Sequence, residues 1–273
     1  MNLIEIDNYL RKKELDKDNI LEILAEHKKR AVQNNQEDLA KDIWCLEQVY
    51  KVKKNFIQAF KNMKKQNFYE AWILLDRSDI ELSFLRKHFD FSNNEYHLSF
   101  IEEYIPKYQK LFPYKLFFSR EAIESDFTCS ICQKPMGIRN HCEHIVGEIY
   151  NGEMCCRVVN KIEFLGFAIV KNPFDKYCVP MIQGIEYNYE ILNNLVSVLD
   201  SPFDEWDLEV SEGIWHYKNF KQFKDAKRNK PCPCGSGIKF KKCCYKKNGR
   251  KITHYNIIVK KSNKLVKMKF SIQ

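Results

Sequence analysis

Four cysteines fall within thirteen residues near the end of the chain, as Cys232-x-Cys234, an eight-residue gap, then Cys243-Cys244. Two close pairs of thiolates suit a tetrahedral metal ion, and four sulfur donors accept zinc or iron. Gly235 and Gly237 let the backbone turn between the pairs. Lys239, Lys241 and Lys242 offset the negative charge of a four-thiolate site. Eleven cysteines is an odd number, and the first residues, Met-Asn-Leu-Ile-Glu-Ile-Asp, show neither a basic start nor an apolar run. A reduced, cytoplasmic setting is expected, where such spacings mean metal and not disulfide.

A second cluster lies mid-chain. Cys129-x-x-Cys132 is followed, after eight residues holding Pro135 and Gly137, by His141-Cys142-Glu143-His144, and then by Cys155-Cys156. Six donors compete for four positions, so spacing alone leaves the set open. Cys129, Cys132, Cys142 and His144 are taken as the set, with Cys155 as first reserve and His141 as the other alternative. The expectation is two metal sites, each closed by protein donors, which disfavours a catalytic ion with an open position.

Residues 231–244, from Pro231-Cys232-Pro-Cys234-Gly-Ser-Gly through Lys239-Phe-Lys-Lys to Cys243-Cys244, resemble the SEC-C metal-binding motif found at the C-terminus of the translocase motor SecA. There the motif often closes with Cys-His, so Cys244 stands in for that histidine. The resemblance implies Cys232, Cys234, Cys243 and Cys244 as ligands. It also implies an interaction module, because in the translocase the motif binds a chaperone and lies close to the ribosome. The stretch from Cys142-Glu-His144 through Gly147, Tyr150, Gly152 and Cys155 is similar to a small zinc module of bacterial and phage-related proteins, which favours His144 over His141. Glu143-His144-Ile145 after a Cys-x-x-Cys also resembles the HNH nucleases. In that alternative, His144 is a general base on water and Asn151 fixes the loop. A histidine that binds zinc cannot serve as that base.

The charge is unevenly placed. From Lys218 to the end there are 18 Lys/Arg against one acid, Asp225, whereas the rest of the chain is net −8. Such a segment reads as a handle for a polyanion such as RNA or the ribosome, or for a chaperone-type protein. Tyr217, Phe220, Phe223, Phe240, Tyr245 and Tyr255 are interleaved with the lysines and are expected to stack on bases. Scarce arginine points to phosphate attraction over base readout.

The elements that must position these residues give an α+β class. Residues 1–122 read as helical: Ile20–Val32 capped by Asp18, a long stripe from Leu39 to Met63, and a helix from Phe68. A further helix, Ile80–Phe89, opens on the Ser78-x-x-Glu81 box, and Tyr96–Ile105 is ended or kinked by Pro106. This domain lacks catalytic signatures and is expected to recognise a protein partner. Residues 123–200 form the central zinc-binding domain, with strands Arg157–Ile162, Phe164–Val170 (a buried strand) and Tyr177–Ile182 and a helix Ile185–Leu199. An acidic linker, 201–217, leads to the basic module 218–273, with a helix His216–Lys227 and a β-hairpin, Thr253–Val259 with Leu265–Ile272, packed on the knuckle. No apolar run approaches a membrane span. The reading is a non-enzymatic metal-binding adaptor.

Overall fold

Three-residue links join the longest helices, and links that short force antiparallel neighbours. In the computed structural model, which describes residues 1–181, 184, 186–215, 223–247, 250–261 and 264–272, α1 is Leu3–Leu10, α2 Ile20–Gln33, α3 Glu37–Lys64, α4 Phe68–Leu85 and α5 Leu98–Leu111. The chain divides into two compact units, 1–197 and 198–273. In the first, the 28-residue α3 is the spine, about 42 Å long at 1.5 Å per residue. Its stripe of Ile43, Val49, Val52, Phe56, Ala59 and Met63 is buried along the whole length.

Several helix ends differ from the pattern reading. Asn2, not singled out by sequence, caps α1 through a reciprocal box with Glu5. Asn19, not Asp18, stands at the start of α2, because Asp18 accepts a hydrogen bond from Lys54 Nζ at 2.7 Å. The Ser78 box starts no helix: α4 runs on through it, and the buried Ser78 hydroxyl donates to the Val52 carbonyl at 2.9 Å. Helix α5 continues through Pro106 to Leu111. Burial of Leu98, Ile101, Tyr104, Ile105, Tyr108 and Leu111 on one side outweighs the missing amide bond.

Residues 117–122, read as helical, instead begin a strand. β1, Phe117–Cys129, pairs antiparallel with β4, Arg157–Val170, through a bulge at Glu121/Ala122. The two strands expected over 157–170 are therefore one, and the stretch expected to be buried is exposed. Within its unit the ribbon pairs with no further strand among the described residues, and Phe167 keeps 71% of its surface accessible. The ribbon is pinned at one end where Phe117 stacks on Trp72 and the Phe118 amide donates to the Cys178 carbonyl at 2.7 Å. Of the strand expected over Tyr177–Ile182, residues 177–181 form no strand, and Ile182 lies outside the described residues. The late helix is α6, Glu190–Val198, shorter than expected.

Between β1 and β4 sits a tight hairpin, β2 (Ile149–Tyr150) and β3 (Glu153–Met154). Asn151 and Gly152 both take positive φ, 51° and 67°, as a two-residue type I′ turn requires. A Cβ on Gly152 would meet Lys28 Cδ at 2.6 Å, so the turn packs directly on α2. The same Lys28 reaches Glu47 on α3 and Glu153 on β3, both at 2.7 Å. The Asn151 amide donates to Glu37 at 2.6 Å, and the His88 ring bonds the Gly147 carbonyl at 2.7 Å. These ties hold the metal-binding loops on the helices.

The second unit is a three-stranded antiparallel sheet, β5-β6-β7, of Trp206–Trp215, Arg250–Lys261 and Lys264–Ile272. The expected hairpin lies within β6 and β7, and β5 completes their sheet. Residues 201–217, read as an acidic linker, therefore contain a strand. Trp206 is fully buried opposite Val259, and alternation within Trp-Asp-Leu-Glu-Val, hidden by the acids, is the strand signal. With β5 included, the unit holds 18 basic and seven acidic residues, net +11, against +17 for residues 218–273 alone. Of the expected basic helix, 216–222 lie outside the described residues.

Candidate metal centres

The central cluster is assembled by the end of β1 and the loop before β2. Cys129 closes β1, and a tight turn follows in which the Gln133 amide donates to the Cys129 carbonyl at 2.9 Å, with Gln133 at φ 59°. The Ser130 hydroxyl accepts the Cys156 amide at 2.8 Å, fixing this turn to the start of β4. One donor atom from each of Cys129, Cys132, Cys142 and His144 lies within 4.8 Å of the others. His144 Nδ1 is buried and has no hydrogen-bond partner among the described residues, an orphaned atom that a metal ion satisfies. The ring stands edge-on to Tyr150, with centroids 4.6 Å apart, and the Tyr150 hydroxyl accepts the Ile145 amide at 3.0 Å.

Cys155 is fully buried with its sulfur 3.7 Å from that of Cys129, yet it stands outside the mutually close set. His141 is exposed and also outside it. Asn151 sits at the tip of the hairpin. Desolvation raises the Cys129 thiol, but the amides of Cys132 and Ile131 and the Cys142 and Cys155 thiols outweigh it and bring it to about 6. Cys155 is pushed up to about 11, by desolvation first and then by Cys129. Once one thiol ionises its neighbours resist, and a dication relieves that repulsion.

The C-terminal knuckle brings together Cys232, Cys234, Cys243 and Cys244 within the same 4.8 Å. Its first pair sits on a loop whose Cys232 amide donates to the Ile238 carbonyl at 2.8 Å. Gly235 and Gly237 take φ of 81° and 69°, values a side chain tolerates poorly. The second pair follows a 3-10 turn, Phe240–Lys242, held by the Phe240 amide on the Lys230 carbonyl at 2.9 Å. A metal–sulfur distance of about 2.3 Å in a tetrahedron implies sulfur separations of about 3.8 Å. Cys234–Cys243 is 3.6 Å and Cys243–Cys244 is 3.9 Å, so the cage already has the size of its ion.

The Ser236 hydroxyl, 3.2 Å from the Cys243 sulfur, was not anticipated from the sequence. Together with its amide it lowers Cys234 to about 6, while desolvation and the other three thiols raise Cys244 to about 12.

Residues 228–246 match the SEC-C motif. The match covers the knuckle and its flanking basic residues. No match to the chain is found among curated proteins or solved structures. The chain thus carries a SEC-C metal-binding module, and its two cysteine-rich groups fit two metal sites.

Around the SEC-C knuckle Lys224, Lys227, Arg228, Lys230, Lys239 and Lys242 are exposed, and none forms an ion pair among the described residues. The aromatics expected to stack on bases mostly do something else. Phe223 and Phe240 form the core of the knuckle with Cys232 and Cys243, and Tyr255 is buried. Tyr245 is the exception in the described set, 37% exposed with the Arg228 guanidinium 4.9 Å over its ring. Tyr217 and Phe220 lie outside the described residues.

Proposed function

We propose that the protein is a non-enzymatic cytoplasmic adaptor whose two zinc sites are structural and whose SEC-C unit docks on RNA, such as that of the ribosome. The observation that carries this reading is the set of exposed lysines and Arg228 flanking the knuckle, none in an ion pair among the described residues, on a unit of net +11. Four thiolates with one Zn²⁺ are net −2, which leaves that field strongly positive. Lysine-dominated fields attract phosphate without reading bases. Zinc at both sites is favoured by donor type: four thiolates at one, three thiolates and an imidazole at the other. Ligands that must stay reduced favour the cytoplasm. Among the described residues no helix is long and apolar enough to cross a membrane.

A nuclease would need His144 free to take a proton. Its placement among three cysteines supports a ligand role instead. The helical half is proposed to recognise a protein.

The test is purification of the full chain with bound metal and co-purifying RNA quantified together, alongside Cys232→Ser/Cys234→Ser and Lys239→Gln/Lys242→Gln. Two zinc ions and bound RNA are expected, with one zinc and little RNA in the cysteine variant. The lysine variant should keep both metals and lower the magnitude of the salt slope by about 1.4, at about 0.7 per phosphate contact. Two metals with no RNA, and a chaperone-type protein in its place, would overturn the RNA assignment while sparing the metal sites. Cleavage of DNA or RNA in Mg²⁺ that is lost in a folded His144→Ala would overturn the non-enzymatic assignment.

A further inference from the structure

The β1–β4 ribbon is pinned at both ends and uncovered between them. Its two faces are chemically distinct. Opposite positions in the register share a face, which places Phe118, Ile169, Phe167, Phe164 and Ile162 together. Ring contacts agree: Phe118–Phe167 centroids are 6.2 Å apart and Phe164–Phe167 4.8 Å. The other face carries Ser119, Glu121, Ser125, Lys161 and Glu163, with Ile123 and the unpaired bulge residue Leu165 as exposed apolar side chains. Alternation of this kind belongs to a sheet with one face buried, and a two-stranded ribbon alone is marginal in water. Here the apolar face is the open one: Phe118 is 40% exposed, Phe164 55%, Phe167 71%, Ile162 53% and Ile169 65%.

We propose that this face packs against the same face of a second copy of the chain, forming a two-fold dimer. Charge and area select that occupant. Arg120 and Glu124 lie among the apolar side chains and pair at 3.6 Å, and Asp175 borders the face beside Phe118 and Arg120, so the face carries both signs and no excess of positive charge. A two-fold interface sets each residue against its counterpart's surroundings, so Arg120 of one copy can meet Glu124 of the other without like-charge cost. Such an apolar face offers nothing to a polyanion. Taking about 200 Å² per large side chain, the exposed fractions of these five residues leave roughly 550 Å² of apolar area per copy. A symmetric pair thus hides about 1,100 Å², just above the ≈1,000 Å² a specific interface needs. Two such ribbons face to face form a small sandwich. This inference is independent of what the metal sites hold and of what the SEC-C unit binds.

The test is sedimentation velocity of the full metal-loaded chain across a concentration series. The wild type is expected to pass from 32.7 kDa to a dimer. Phe164→Glu/Phe167→Glu, two substitutions at exposed positions, should remain monomeric with unchanged metal content and helicity. Arg120→Glu should weaken the dimer, and Arg120→Glu/Glu124→Arg should restore it. A monomeric wild type at every concentration overturns the proposal, as does a dimer that survives the Phe164/Phe167 substitutions or a charge swap that restores nothing.

Discussion

Removing the metal from the SEC-C knuckle should unfold it while leaving the β5-β6-β7 sheet intact, and the magnitude follows from what fills its core. The buried set there is Phe223, Cys232, Phe240 and Cys243, so two of the four core side chains are candidate ligands. Ordering the 19 residues of the motif costs about 19 kcal/mol at about 1 kcal/mol each. Burying two phenylalanines returns about 3–6 kcal/mol. A zinc ion bound by a finger-type site contributes about 10–16 kcal/mol, so the total, about 13–22, matches the cost only with the ion. Without it the deficit is about 13–16 kcal/mol on the same figures. Hydrogen exchange read by mass spectrometry measures this directly. In the metal-loaded chain the amides of Cys232, Phe240 and Lys241, bonded to the carbonyls of Ile238, Lys230 and Arg228, should be protected. Chelation, or Cys232→Ser/Cys234→Ser, should abolish that protection while peptides from β6 keep theirs. Protection that survives metal removal would refute the reasoning, because two phenylalanines would then suffice.

Three other outcomes are expected. At the central centre, His144→Cys and Cys155→Ser should each retain one metal per site, whereas His144→Ala should lose it; metal analysis of the purified variants decides, and loss in Cys155→Ser would put that cysteine in the set. Lys28→Met should destabilise the first unit by about 3 kcal/mol in chemical denaturation, because it leaves the buried Glu47 carboxylate unpaired, and adding Glu47→Gln should recover part of the loss; a cost near zero would refute this. Lys53 is fully buried, donates to the Leu10 and Lys12 carbonyls, and is lowered to about 8 by desolvation. Between about pH 8 and 10.4 the unfolded chain holds a proton the folded one has shed, so stability should rise with pH by up to about 3 kcal/mol, a rise absent in Lys53→Met.

Both metal clusters were legible in the sequence because ligand chemistry is written in local spacing. A Cys-x-x-Cys or Cys-x-Cys pair sits on one turn whatever surrounds it, and the turn residues, Gly235 and Gly237, are visible beside it. The helical spine was legible for a related reason, since the Leu39–Met63 stripe repeats for seven turns. What escaped depended on partners distant in sequence. Ser78 and Asp18 have the right types for caps, but Val52 and Lys54, brought alongside by α3, claim their side chains. The Phe164–Val170 run looked buried because unbroken apolar strands usually are. Its strand partner is Phe117–Ala122, a stretch whose own charges disguise it, and no other described strand pairs with it. The β5 residues were hidden by the same effect, with acids on the outer face of a strand whose inner face carries Trp206. Sequence thus over-read composition, as linker or core, wherever alternation carried the signal. The misjudged ribbon follows from this most instructively. Its hydrophobicity was read correctly, but among the described residues of its own unit nothing buries that face, and a second chain is the natural place to look.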